Sequence, residues 1–212
     1  MRAEPRKSPG RLSLRARARR IRLLLFDVDG VLTDGVIWFF PSDSPDSRAV
    51  AGRGEGVSLV ELKGFSAHDG IGMMLARQAG LKTGVITKRR SASLALRARD
   101  LRMDYVYQAI DDKLQALEEI LRRAGVQPEE TACMGDDIVD LPMMRACGLA
   151  AAPANARPEV KQAADWVATS RGGEGAARDL VELILKAQGR WREVLEGYLK
   201  AHASRHGQGR EQ

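Results

Sequence analysis

The sequence predicts an α/β protein, a doubly wound, Rossmann-like parallel sheet carrying a protruding β-hairpin. Three observations carry this reading. Short apolar runs alternate with longer amphipathic ones from Ile21 to about Lys200, the pattern of strand–helix–strand units. Two of the apolar runs end in acidic clusters far apart in sequence, Asp27-Val28-Asp29-Gly30 and Gly135-Asp136-Asp137 with Asp140. In a parallel sheet both clusters fall on one edge, the edge where such sheets bind ligands. The chain of 212 residues, 44% of them hydrophobic, suits one domain with a sizeable core and shows no internal repeat or second domain-sized segment.

The elements follow in order. Ile21–Phe26 is too short for a helix and reads as a buried strand. Continued extension would point Asp27 and Asp29 to the same side, where they repel unless a cation lies between them. Gly30 lets the chain turn and leaves its N–H open to an anion. A calcium loop is excluded by spacing, since Val31 and Trp38 stand where oxygen ligands are required. Val36–Phe40 and Val57–Leu62 read as the two strands of the hairpin, with Pro41–Gly56 as a mobile loop between them. The aromatic strand is surplus to a small sheet, so a second subunit is expected to cover it.

A helix capped by Asp69 follows, with Ile71, Met74 and Leu75 as its apolar face, ending at Gly80. Val85-Ile86-Thr87 ends a strand, a helix runs from Ser91 to about Leu101, and Tyr105–Tyr107 is a short strand. Asp111 is expected to cap a helix with Leu114, Leu117, Ile120 and Leu121 inward and Gly125 at its end. Lys113 in its first turn opposes the helix dipole, which suits a lysine aimed at phosphate as well as a solvated one. Thr131–Met134 is a buried strand, and Leu149–Ala151 and Trp166-Val167 are strands around a helix from Pro158 to Ala164. Gly172–Gly175 reads as a flexible loop before a helix from Ala176 to Lys186, and Trp191–Lys200 as a last helix.

Charge is unevenly spread. Nine of the 34 Lys/Arg fall within residues 1–22 beside one Glu, leaving 25 basic and 27 acidic residues elsewhere. The basic character therefore belongs to a solvated arm, residues 1–20, and not to a nucleic-acid-binding body. Residues 201–212 are expected to be a disordered tail and 21–200 the folded domain. The arm lacks the apolar centre of a secretory signal, though an Arg-rich transit segment has the same composition. There is no run of about 18 apolar residues to span a membrane. Cys133 and Cys147 have no metal-site spacing and read as reduced core thiols of a cytoplasmic protein.

Taken together, Asp27-Val28-Asp29-Gly30, Thr87 at a strand end, Lys113, and Gly135-Asp136-Asp137 with Asp140 resemble the four motifs of the haloacid dehalogenase superfamily. Asp34-Gly35 before a hairpin, Asp69-Gly70-Ile71-Gly72, Ile86-Thr87 with Arg89 and Ser91, and Gly172-Gly173-Glu174-Gly175-Ala176 are similar to its capless branch. The resemblance spans about Leu23 to Trp191, leaving out the arm and tail, and implies a fold with no cap domain. It implies a magnesium-dependent phosphatase acting on a sugar-acid phosphate, Kdo 8-phosphate (3-deoxy-D-manno-octulosonate 8-phosphate) before a nine-carbon analogue or another sugar phosphate. A non-catalytic tetrameric binding protein of the same fold is the other alternative.

By the resemblance, Asp27 attacks phosphorus and Asp29 serves as acid and then base, while Thr87 and Lys113 grip the phosphoryl oxygens. Mg2+ would be held by Asp27, the Asp29 carbonyl and Asp136, with Asp137 and Asp140 supporting. Gly30, Arg89 and Arg97 would bind substrate, the arginines pairing with the sugar carboxylate. A homotetramer is implied, in which a neighbour covers each site. Lys88 stands where glycine is usual and His68 where Arg or Lys is frequent, and the loop at 41–56 is long.

Overall fold

The computed structural model describes residues 12–41, 48–50 and 57–207. A six-stranded sheet forms its centre: β1 (Leu23–Phe26), β5 (Lys82–Ile86), β6 (Tyr105–Tyr107), β7 (Thr131–Met134), β8 (Leu149–Ala152) and β9 (Trp166–Val167). Their order is β6-β5-β1-β7-β8-β9, every pairing is parallel, and Leu25 is in register with both Gly84 and Cys133. The chain winds outward from β1 to β6, then returns to the other side of β1 at β7. The switch point therefore lies at the carboxyl ends of β1 and β7, where ligands bind in open α/β sheets.

All four β1 side chains are buried, which explains the unbroken apolar run in place of an alternating one. Their alternation builds two cores. Leu24 and Phe26 join Met73, Leu75, Leu180 and Ile184 on one face, and Leu23 and Leu25 join Ile86, Leu117, Ile120 and Met143 on the other. Burying each such side chain stabilises by about 1.5–3 kcal/mol at most. The first face is covered by α1 (Leu14–Ala18), α2 (Ala67–Gln78), α7 (Ala176–Ala187) and α8 (Trp191–Gly207). The second is covered by α4 (Lys113–Ala124), α5 (Leu141–Ala146) and α6 (Pro158–Ala163), and α3 (Ala92–Asp100) adds Leu94 to the first.

The hairpin is a second, antiparallel sheet in the order β2-β4-β3, with β2 at Trp38–Pro41, β3 at Arg48–Val50 and β4 at Val57–Leu62. Residues Trp38–Pro41 are exposed throughout, so neither face of β2 is buried by the described residues.

Several expectations need correction. The span expected as a loop at 41–56 holds β3; residues 42–47 and 51–56 lie outside the described residues. The α2 cap is Ser66, whose hydroxyl accepts from His68 N and Asp69 N, and Asp69 turns inward to accept from Arg178 N. Ile71 faces out and Met73 takes the buried position. The α4 cap is Asp112, one residue after the one expected. The basic arm is not structureless to residue 20. Helix α1 starts at Leu14, Ala18 is buried, and Arg17 pairs with Asp165 at 2.6 Å. Residues 1–11 lie outside the described residues. Helix α8 continues through Gly207, into the span expected as tail.

Candidate functional site

Asp27 leaves β1 still tied to the sheet, its N–H donating to Met134 O. The chain then turns at Val28, and the two aspartates part. Asp27 stays inside, 2.8 Å from Lys113 Nζ. Asp29 instead accepts from Lys63 Nζ and has Oδ2 3.8 Å from Arg89 Nε. The extension that would align the two side chains does not continue past β1, and the two carboxylates take different partners. The Gly30 N–H is not left free either, as it faces Thr33 Oγ1 at 3.4 Å.

Lys113 reaches in from the first turn of α4 and is 4% exposed. Its second partner is Asp140 Oδ1 at 2.5 Å. The other oxygen of Asp140 accepts from Asp136 N and Asp137 N. Both Asp140 oxygens are thus already bonded, which suits a buttress for Lys113 and the β7 loop. Gly135 is required here because a Cβ would sit 2.3 Å from that of Asp140. Gly30, at φ +89°, lies so close to Asp136 that a Cβ would come within 2.1 Å of its Oδ2.

Carboxylate oxygens of Asp27, Asp136 and Asp140 lie within 4.8 Å of one another. Asp136 Oδ1 is buried with no hydrogen-bond partner, an arrangement that is costly unless a cation completes it. Burial, with the charges of Asp27, Asp140 and Asp137, pushes the Asp136 carboxyl up to about 7. Burial and then Asp140 push Asp27 up to about 6, against the pull of Lys113. Lys113 is also raised, because Asp27 and Asp140 together outweigh its own burial. An isolated ion pair would lower its acid; at Asp27 burial and the second carboxylate win. The donor set therefore fits a hard divalent cation, with Asp27 and Asp136 as the side chains left open to it.

Thr87 is buried just beyond β5, anchored through its own N–H to Tyr107 O and through its carbonyl to Ile110 N. Arg89 is half exposed and bonded to Glu61 Oε2 at 2.9 Å. Arg97 goes elsewhere. It donates to Ser66 O at 3.3 Å and lies over Gly70, in the seam between α2 and α3. Asp137 is exposed, with its side chain accepting from Ile138 N. Lys88 is exposed, 3.8 Å from Asp111.

Three contributors escaped the sequence reading. Lys63 and Glu61 reach the site from the hairpin strand. Asn155 donates to Gly30 O at 2.9 Å and accepts from Gly172 N at 2.6 Å. The loop at Gly172–Gly175, expected to be flexible, is thereby pinned to the Asp27–Gly30 turn, and Gly173 N adds a bond to Val31 O. A single Asn two residues after Pro153 was the only local signal.

Residues 102–180 match the haloacid dehalogenase-like hydrolase family. The chain is 36% identical to the 3-deoxy-D-manno-octulosonate 8-phosphate phosphatase of Escherichia coli K12, over 84% of this chain and 87% of that one. It is 39% identical to the phosphatase of that name from Yersinia pestis, over 85% and 86%. Among solved structures, that of the Moraxella catarrhalis phosphatase of the same name, in complex with a magnesium ion, a phosphate ion and a KDO molecule, is similar. It has TM-score 0.75 and 33% identity, covering 87% of this chain and 97% of the other. With four motifs converging on one sheet edge, and with likeness of this extent over nearly the whole length of these relatives, the chain belongs to the Kdo 8-phosphate phosphatase family, within the capless haloacid dehalogenase-like hydrolases.

Proposed function

We propose that the protein is a magnesium-dependent phosphatase that hydrolyses Kdo 8-phosphate through an aspartyl-phosphate intermediate on Asp27. One observation carries the reading. Asp27 and Asp136 converge at the switch point beside the buried Lys113, with Asp136 Oδ1 buried and unpartnered. Asp27 would attack phosphorus in line, with Lys113 neutralising charge that builds on the phosphoryl oxygens. Thr87, buried just beyond β5, would donate to the same group. Asp29 would give its proton to the departing sugar oxygen and then take one from the water that cleaves the acyl phosphate. Asp27, Asp136 and the Asp29 carbonyl would hold Mg2+, which when bound supplies charge neutralisation and a template for the phosphate. Asp137 would orient a water nearby, and Asp140 holds Lys113 in place.

Arg89 would read the sugar carboxylate, with Gly30 lining the phosphate side. The placement of Arg97 in the α2–α3 seam does not support its role in the same subunit's site. A homotetramer belongs to this reading, since Val36, Trp38, Phe39, Phe40 and Leu62 are all exposed on the hairpin, an apolar patch of the kind a partner covers. Light scattering should give about four times the 23.2 kDa chain mass; a monomer at micromolar concentration would contradict it. A cytoplasmic location is also part of the reading, as Cys133 and Cys147 are both free thiols.

The test is phosphate release with Mg2+ from Kdo 8-phosphate, a nine-carbon sugar-acid 9-phosphate and neutral hexose phosphates. Kdo 8-phosphate should lead in kcat/KM by about tenfold or more over the neutral sugars. Equal turnover of the neutral sugars would contradict the assignment.

A further inference from the structure

The hairpin does more than protrude. Side chains alternate across its last strand, so Leu62 faces solvent while Glu61 and Lys63 turn together toward the catalytic edge. There they close a ring of alternating charge. Lys63 Nζ donates to Asp29 Oδ1 and lies 3.5 Å from Glu61 Oε1. Glu61 Oε2 is 2.9 Å from Arg89, and Arg89 Nε is 3.8 Å from Asp29 Oδ2. The lysine is the least solvated member, its side chain 1% exposed. A buried ammonium is costly unless held by anions, and here the anions are Asp29 and Glu61. Among the described residues, no other cation lies this close to Asp29, and the turn that carries it offers its side chain no hydrogen bond.

We propose that Lys63 is a positioning residue for the acid–base step: it fixes the Asp29 carboxylate by its Oδ1 and leaves Oδ2 to exchange the proton beside Arg89. The inference rests on the phosphatase reading above and adds to it a hairpin residue that acts through Asp29 without touching the phosphoryl group. Holding a general acid within about 0.5 Å of its working geometry requires support of this kind, and a misplaced acid loses much of its effect.

The experiment is kcat/KM with Mg2+ across substituted phenyl phosphates, from p-nitrophenyl to unsubstituted phenyl phosphate. Nitrophenolate departs without a proton, whereas phenolate needs one, so a displaced general acid steepens the dependence on the leaving group. Lys63→Met should lose less than about threefold on p-nitrophenyl phosphate and about tenfold or more on phenyl phosphate. Lys63→Arg should restore most of the loss, since it keeps a donor to Asp29. A uniform fall across the series overturns the proposal, because a merely structural role moves every substrate alike; so does an unchanged slope. If Lys63→Met does not fold, Lys63→Gln, which keeps polarity and removes the charge, is read by the same criterion. Wild-type protein that releases phosphate from neither this series nor Kdo 8-phosphate removes the phosphatase reading itself, a result distinct from a flat slope in the variants.

Discussion

Lys113 stands 2.5 Å from Asp140, one side chain delivered from the first turn of α4 and the other from the turn after β7. Lys113 also meets Asp27 at 2.8 Å, so one ammonium joins the ends of β1 and β7 to α4. Removing it leaves two buried carboxylates facing each other. Lys113→Met is expected to destabilise the metal-free protein by about 3 kcal/mol, a fall in Tm of about 6–12 °C for a chain of this size. It should also abolish turnover. A melting curve that matches the wild type would show that the triad carries no such coupling.

Metal and pH act on the same carboxylates. Asp136 and Asp27 are raised from 3.8 to about 7 and about 6 in the folded, metal-free protein. Groups with raised folded pKa values bind protons more tightly when folded. Their contribution to stability is complete below the unfolded value near 4 and is lost as pH rises through 6–7. Magnesium requires the ionised forms, so it competes with protons below that window and not above it. At one fixed Mg2+ concentration, the rise in Tm should be clearly larger at about pH 8 than at about pH 5. An equal rise at both would place the ion elsewhere.

Most of the architecture was legible in the chain, for local reasons. The strands Tyr105–Tyr107 and Thr131–Met134 emerge at the residues expected, because short apolar runs between turn signals leave little choice. Asp136 drew attention as part of an acidic cluster at a strand end, Lys113 as a cation opposing the dipole in the first turn of a helix, and Thr87 only through its likeness to a family motif. What was missed depends on distant contacts. Asp69 looks like a cap, yet Arg178 N, more than a hundred residues away, claims its carboxylate, freeing Ser66 to cap α2. Lys63 carries no local signal and Asn155 only a faint one beside Pro153, since their partners, Asp29 and Gly30, are brought to them by the fold. The direction of Asp29 was not legible, because it depended on extension continuing past Asp27, and the chain turns at Val28, whose carbonyl accepts from Val31, Leu32 and Thr33 N.

On the proposed reading, Arg89 selects the substrate. Its guanidinium is bonded to Glu61 and half exposed, so a sugar carboxylate would meet a fork already oriented toward Asp29. A charge-assisted pair is worth roughly 1.5–3 kcal/mol. Arg89→Ala should therefore lose about ten- to a hundred-fold in kcat/KM on Kdo 8-phosphate and little on p-nitrophenyl phosphate, which has no carboxylate. Lys88 is a neighbouring cation only loosely held by Asp111, so the comparison is cleanest in a Lys88→Gly background. Equal losses on both substrates would make Arg89 a support for its loop and not a reader of the sugar.

The central claim is that Asp27 is the nucleophile of a magnesium-dependent hydrolysis. The most direct measurement is steady-state phosphate release from Kdo 8-phosphate by Asp27→Asn beside the wild type, with Mg2+ present. An amide in place of the carboxylate keeps the shape and removes the attacking oxyanion. The variant should fall to background while the wild type turns over. Substantial release by Asp27→Asn would contradict the covalent mechanism and the assignment of this site.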